Sequence, residues 1–205
     1  MKTLRNFSFE LGRLLQSRLT WLVLLLTAIS PVAGLTLYKS ATAETMLSMY
    51  LANPAIAGGV VSGILFGLLT VYELDRSGRS RVDILMNAIV SPMRSALIRM
   101  LALIITAMLG LILTMLVWLP VTFTQAGAVL DMTNYCLAYL IFMGLALPCS
   151  ILAAAACYQF TQRADLSIVL FAAFAGLSLT IWANTCQLCW LNPCVWALSD
   201  DFTNL

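Results

Sequence analysis

The chain has no histidine and only two lysines, Lys2 and Lys39, and charged side chains make up 10% of its 205 residues. Without imidazole there is no histidine acid–base chemistry, no His–metal site and no Ser-His or Cys-His nucleophilic pair. The scarcity of lysine leaves little room for a phosphate-binding P-loop. Its G-x-x-x-x-G-K-[ST] pattern would place glycines at positions 33 and 38 ahead of Lys39-Ser40, where Ala33 and Tyr38 stand instead. A net charge of +2 is too small for a nucleic-acid surface, so no nucleic acid is expected as a partner.

What is there in excess is apolar. Hydrophobic residues make up 61% of the chain, against roughly 45–50% in a soluble domain, and the mean hydropathy is +0.95. A membrane span takes about 20 apolar residues, so this length suits about five or six spans with no separate catalytic domain. Five segments qualify: Trp21 to Tyr38, Ala55 to Tyr72, Leu97 to Phe123, Tyr135 to Tyr158 and Leu166 to Ala183. In lipid a helix satisfies its own backbone, and Pro31, Pro120 and Pro148 are expected as tolerated kinks. The fold class is therefore an all-α polytopic membrane protein, with residues 1–205 as a single transmembrane domain.

If the spans alternate, ten of the eleven basic residues fall on one side and only Lys39 on the other. Basic residues stay on the cytoplasmic face, so the N-terminus is expected inside and residues 184–205 form an extracytoplasmic tail. The setting is an inner or plasma membrane. Ala41-Thr42-Ala43 resembles a signal-peptide cleavage site, but about twenty residues precede the apolar run, more than an ordinary leader has. An uncleaved first span is expected.

Before it, Leu4, Phe7, Leu11, Leu14 and Leu15 recur at helical spacing opposite Arg5, Asn6, Arg13, Gln16 and Ser17. Residues 1–19 read as an amphipathic helix in the cytoplasmic interface, or as a plain basic leader that only sets topology. In the second span Gly59, Gly63 and Gly67 follow at four-residue spacing. Small residues let helix backbones approach closely in lipid, within the chain or, less favoured, at a seam between chains. No ionisable residue is expected deep in a span, which argues against an ion-coupled pump.

Residues 73–96 are read as a cytoplasmic loop with charges around short apolar stretches: Glu73, Asp75, Arg76, Arg79, Arg81, Asp83, Ile84, Leu85 and Arg94. Ser91-Pro92 marks a helix start, serine as cap and proline in the first turn. The helix from Pro92 to Trp118 would be about 40 Å long, longer than the ~30 Å hydrocarbon core, so its first turns should project from the membrane. A short helix carrying Ile84, Leu85 and Ile89 would suit a partner protein; a solvated basic loop is the simpler reading.

This loop resembles the signature region of permease subunits of the ABC-2 type export family. The family's acidic–basic cluster is matched by Glu73, Asp75 and Arg76, its glycine step by Gly78-Arg79, its short helix by Ile84 and Leu85, and its small-Pro-x-x-Arg turn by Ser91-Pro92-Met93-Arg94. The leader Glu10-Leu11-Gly12-Arg13-Leu14-Leu15-Gln16-Ser17-Arg18 is similar to the family's N-terminal helix. The resemblance implies a permease subunit, with a separate P-loop ATPase that carries ATP and magnesium. That subunit would seat on the leader helix and on Glu73, Asp75, Arg76, Arg79, Arg81, Asp83, Ile84, Leu85 and Arg94. A second permease chain, identical or different, would complete the path. No catalytic residue, cofactor or metal is expected on this chain. The family has six spans where five are read here, so the chain is expected to be a fragment of a longer permease or a shortened variant.

Cys186, Cys189 and Cys194 cluster on the outer side, and a disulfide between two of them is expected if that side is oxidising. Three thiols without histidine do not complete a zinc site. The C-x-x-C of Cys186 and Cys189 also fits a membrane thiol–disulfide oxidoreductase, although no cation lies nearby to lower a thiol pKa. A non-transporting assembly or immunity protein of the membrane is the third reading.

Overall fold

The computed structural model describes residues 2–36, 51–79, 92–127 and 130–178. Among these residues it contains seven helices and no strand: α1 (Lys2–Gln16), α2 (Arg18–Ile29), α3 (Val32–Thr36), α4 (Asn53–Arg79), α5 (Pro92–Ala126), α6 (Met132–Thr161) and α7 (Ala164–Ser178). Four stretches are long and apolar enough to cross a membrane: Arg18–Leu35, Asn53–Arg76, Met93–Gln125 and Met132–Thr161. The fold is that of an all-α membrane protein. The fifth expected span is described as far as α7, a 15-residue apolar helix, and its end lies outside the described residues.

Four of the helices close a ring. α4 packs on α2 and α6, and α5 packs on the same two from the other side. Side chains fill the middle: Phe66 of α4 is fully buried and lies near Gly110 of α5, where an added Cβ would stand 3.4 Å from its ring. α4 is the most enclosed helix, with α3 and α7 covering its remaining sides. α5 turns a row of large side chains outward, Leu97, Leu101, Ile105, Leu109, Ile112 and Leu116, all exposed. A stripe of that length is lipid-facing surface in a protein of this composition.

Local chemistry sets the helix ends. Proline lacks the N–H that the first turn cannot use anyway, and α5 begins at Pro92 as the Ser91-Pro92 step implied. It runs for 35 residues, about 52 Å, well beyond the hydrocarbon thickness. Asp131 caps α6 by accepting from the Thr133 N–H at 3.0 Å. α6 ends at Gln162 in the left-handed region, φ 52°. Pro120 and Pro148 sit inside α5 and α6 without ending them.

Pro31 does break its helix, separating α2 from α3. It cannot donate to the Thr27 carbonyl four residues earlier, so that oxygen takes other donors. Ser30 Oγ donates to it at 2.7 Å, and Thr114 Oγ1 of α5 reaches it at 3.3 Å. One turn on, Trp118 Nε1 donates to the Ala28 carbonyl at 2.8 Å. Thus α5 supplies the polar contacts that make a broken helix tolerable inside lipid.

The three glycines of the four-residue row in α4, Gly59, Gly63 and Gly67, face other helices of the same chain. A Cβ on Gly59 would stand 2.8 Å from the Phe142 carbonyl oxygen of α6, and one on Gly63 2.7 Å from Ser150 Oγ. A Cβ on Gly67 would strike the Phe171 ring of α7. Their four-residue spacing keeps them on one side of α4, where Gly59 admits the backbone of α6 and Gly63 and Gly67 admit the Ser150 and Phe171 side chains.

Candidate functional site

The leader is helical over Lys2–Gln16, and its apolar stripe turns toward the bundle. Leu14 is fully buried, Phe7 packs against the core, and α1 rests on α5 and α2. Phe9, off that stripe, is exposed. Ser17 interrupts the helix with extended backbone, and Trp21 Nε1 of α2 donates to the Leu15 carbonyl at 2.7 Å, holding the corner.

Arg13 projects from α1 to α4. Its Nη1 lies 2.7 Å from Glu73 Oε2 and its Nε donates to Glu10 Oε2 at 2.9 Å. Arg76 Nη1 approaches Glu73 Oε1 at 3.6 Å. The Glu73 side chain is 0% exposed, while Arg13 and Arg76 are 27% and 53% exposed. A carboxylate in this setting loses its hydration and is tolerable because a guanidinium replaces it. Burial works against the Arg13 charge, but its hydrogen bonds and charge contacts with Glu10 and Glu73 outweigh it and hold the guanidinium above its ordinary range.

Glu73, Asp75 and Arg76 therefore belong to α4, which continues to Arg79, and Met93 and Arg94 belong to the first turns of α5. The stretch read as a loop over residues 73–96 is helical at both ends. The physical reason is that both helices outrun their apolar windows, so charged residues extend them. Asp75 is partly buried, Arg76 and Arg94 are exposed, and Met93 is 76% exposed. The side chain of Arg79 and the whole of Arg81, Asp83, Ile84 and Leu85 lie outside what is described, as do Cys186, Cys189 and Cys194. The three described cysteines, Cys136, Cys149 and Cys157, are free.

The structure brings together Glu10, Arg13, Glu73 and Arg76, while Arg94 lies exposed in the first turn of α5. Sequence reasoning did not single out Arg13 and Glu10 as a site. The available signal was their three-residue spacing on one helix side combined with a glutamate at the end of an apolar run. Arg99 was likewise not anticipated as a core residue; it is 8% exposed, two turns into α5. Glu73 and Arg99 are thus ionisable groups buried within helices of the membrane bundle, near the ends that flank residues 80–91. No group of metal-binding side chains is found among the described residues. No family model, curated protein or solved structure matches the chain.

Proposed function

We propose that the chain is the transmembrane permease subunit of an ABC-2 type exporter, driven by a separate ATP-binding subunit that docks on its cytoplasmic face. The observation that carries this reading is the attachment of α1 to α4 through Arg13 and Glu73. It joins the leader helix to the helix that leads into residues 80–91, while α1 also rests on α5, which leads out of them. A subunit without its own ATPase needs such a unit, because a force applied at the face must reach several spans together. Glu73 acts here by holding α1, since it is buried; the exposed Arg76, Arg94, Met93 and Phe9 are available for docking.

In this reading the N-terminus and residues 80–91 are cytoplasmic, in an inner or plasma membrane. A second permease chain completes the transport path. ATP and magnesium bind the partner, and no step of the hydrolysis uses this chain.

The test is affinity purification of the tagged full chain from native membranes in mild detergent, with mass spectrometry of co-purifying proteins. A stoichiometric P-loop ATPase that is lost on the paired reversal Arg79→Glu and Arg81→Glu is the expected result. Retention of the ATPase by the reversed variant would overturn the docking assignment. Absence of any ATPase would overturn the permease reading itself and favour an assembly or immunity role.

A further inference from the structure

We propose that Glu10, Arg13, Glu73 and Arg76 form a reversible clasp, through which α1 docks on and leaves the end of the bundle. The proposal is independent of which protein docks there. Its basis is that each ion of the interhelical pair has a second partner on its own helix. Arg13 keeps Glu10 three residues back along α1, at 2.9 Å. Glu73 has Arg76 three residues on along α4, at 3.6 Å in the docked arrangement.

Separating a buried ion pair ordinarily destabilises a protein strongly, because each charge is left uncompensated. Here neither is. When α1 moves away, Arg13 retains Glu10, and Arg76, half exposed and 3.6 Å from Glu73, can close on it. In the docked and released arrangements alike every charge keeps an opposite charge beside it, and in the docked one the buried Glu73 oxygens lack a well-aligned hydrogen bond. Both features lower the difference between the two and make the equilibrium switchable. A permanent attachment would be served by apolar contacts such as that of the fully buried Leu14, with no buried carboxylate. Release would uncover the Leu14 seat and Glu73 on the ends of three helices, α2, α4 and α5, that α1 now holds.

The test is hydrogen exchange of the full-length protein in lipid nanodiscs, read separately for peptides from α1 and from α4. Glu73→Gln removes the interhelical charge attraction and should speed exchange in α1 by about tenfold or more, with α4 unchanged. Replacing the pair together, Arg13→Met with Glu73→Met, should slow α1 exchange below wild type, because an apolar contact has no released state to favour. Arg76→Ala is the deciding variant. A clasp needs Arg76 mainly in the released state, so its loss should slow α1 exchange several-fold.

Unchanged or faster α1 exchange in Arg76→Ala would make the network a static brace and overturn the proposal. So would unchanged α1 exchange in Glu73→Gln, or equal acceleration across all helices. If Glu73→Gln does not insert or fold, Arg76→Ala still decides, because its half-exposed side chain carries little of the packing.

Discussion

Substituting alanine along the glycine row of α4 tests the close approach of α4 to α6. At Gly59 the new methyl would lie 2.8 Å from the Phe142 carbonyl oxygen, about 0.6 Å short of the 3.4 Å at which ordinary contact begins. That neighbour is backbone inside a helix and cannot rotate aside, so α4 and α6 must separate locally. Overpacking by one methyl costs about 1–3 kcal/mol, which lowers the folding equilibrium roughly 5- to 150-fold. At Gly63 the obstacle is the Ser150 hydroxyl at 2.7 Å, a side chain with other rotamers, and Gly63→Ala should cost less. Gly176 has nothing within 4 Å of its added Cβ, so Gly176→Ala is the control. It shares the gain in helix propensity and meets no neighbour. The measurement is reversible unfolding in mixed micelles for the three variants at two protein concentrations. The expected order of loss is Gly59→Ala, then Gly63→Ala, then Gly176→Ala at or below zero, independent of concentration. A Gly59→Ala variant as stable as Gly176→Ala would refute the argument, and a cost that appears only as the protein is diluted would move the seam to a contact between chains.

Trp118→Phe removes the donor that serves the Ala28 carbonyl near the Pro31 break. It should cost about 0.6–1.5 kcal/mol in the same unfolding assay, from the bilayer average to the upper aqueous value for one hydrogen bond. Thr114→Val should be less costly when Pro31→Ala is also present, because a restored N–H would serve the Thr27 carbonyl; a double-mutant cycle measures that coupling. At the α6 end, Gln162→Gly should stabilise by up to about 1 kcal/mol, since left-handed backbone is strained for a side chain, and Gln162→Val should destabilise. Both are read as shifts in the unfolding midpoint. Equal stability of the Gly and Val variants would show that the left-handed turn carries no strain.

The sequence by itself determined the helices and many of their ends. Long apolar runs without charge have one stable form in lipid, and Pro92 marks a helix start for reasons internal to the backbone. Pro31, expected as a kink like Pro120 and Pro148, breaks its helix where those two do not, a difference decided by the donors that α5 brings to the Thr27 and Ala28 carbonyls. The amphipathic leader was legible in the same way, from the spacing of Phe7, Leu11 and Leu14. What that spacing could not state is which surface the stripe faces, because lipid tails and a neighbouring helix are equally apolar. Only the tertiary structure places Leu14 in the core and turns Phe9 out.

The candidate site divides along the same line. Charges at the end of the second apolar run could be read as a solvated loop, since composition alone does not distinguish a helix that outruns the membrane from a connection. Folding put Glu73 at 0% exposure against Arg13, sixty positions earlier in the chain. The Glu10–Arg13 spacing and a glutamate at the end of an apolar run mark each residue locally, but neither mark names the other as its partner. The ion pair exists because α1 folds back across the helix ends, and long-range packing of that kind is what brings together residues that sequence spacing leaves apart. The glycine row sits between the two cases: its periodicity announced a close helix approach, and the partners Phe142, Ser150 and Phe171 were decided by how α4, α6 and α7 pack in three dimensions.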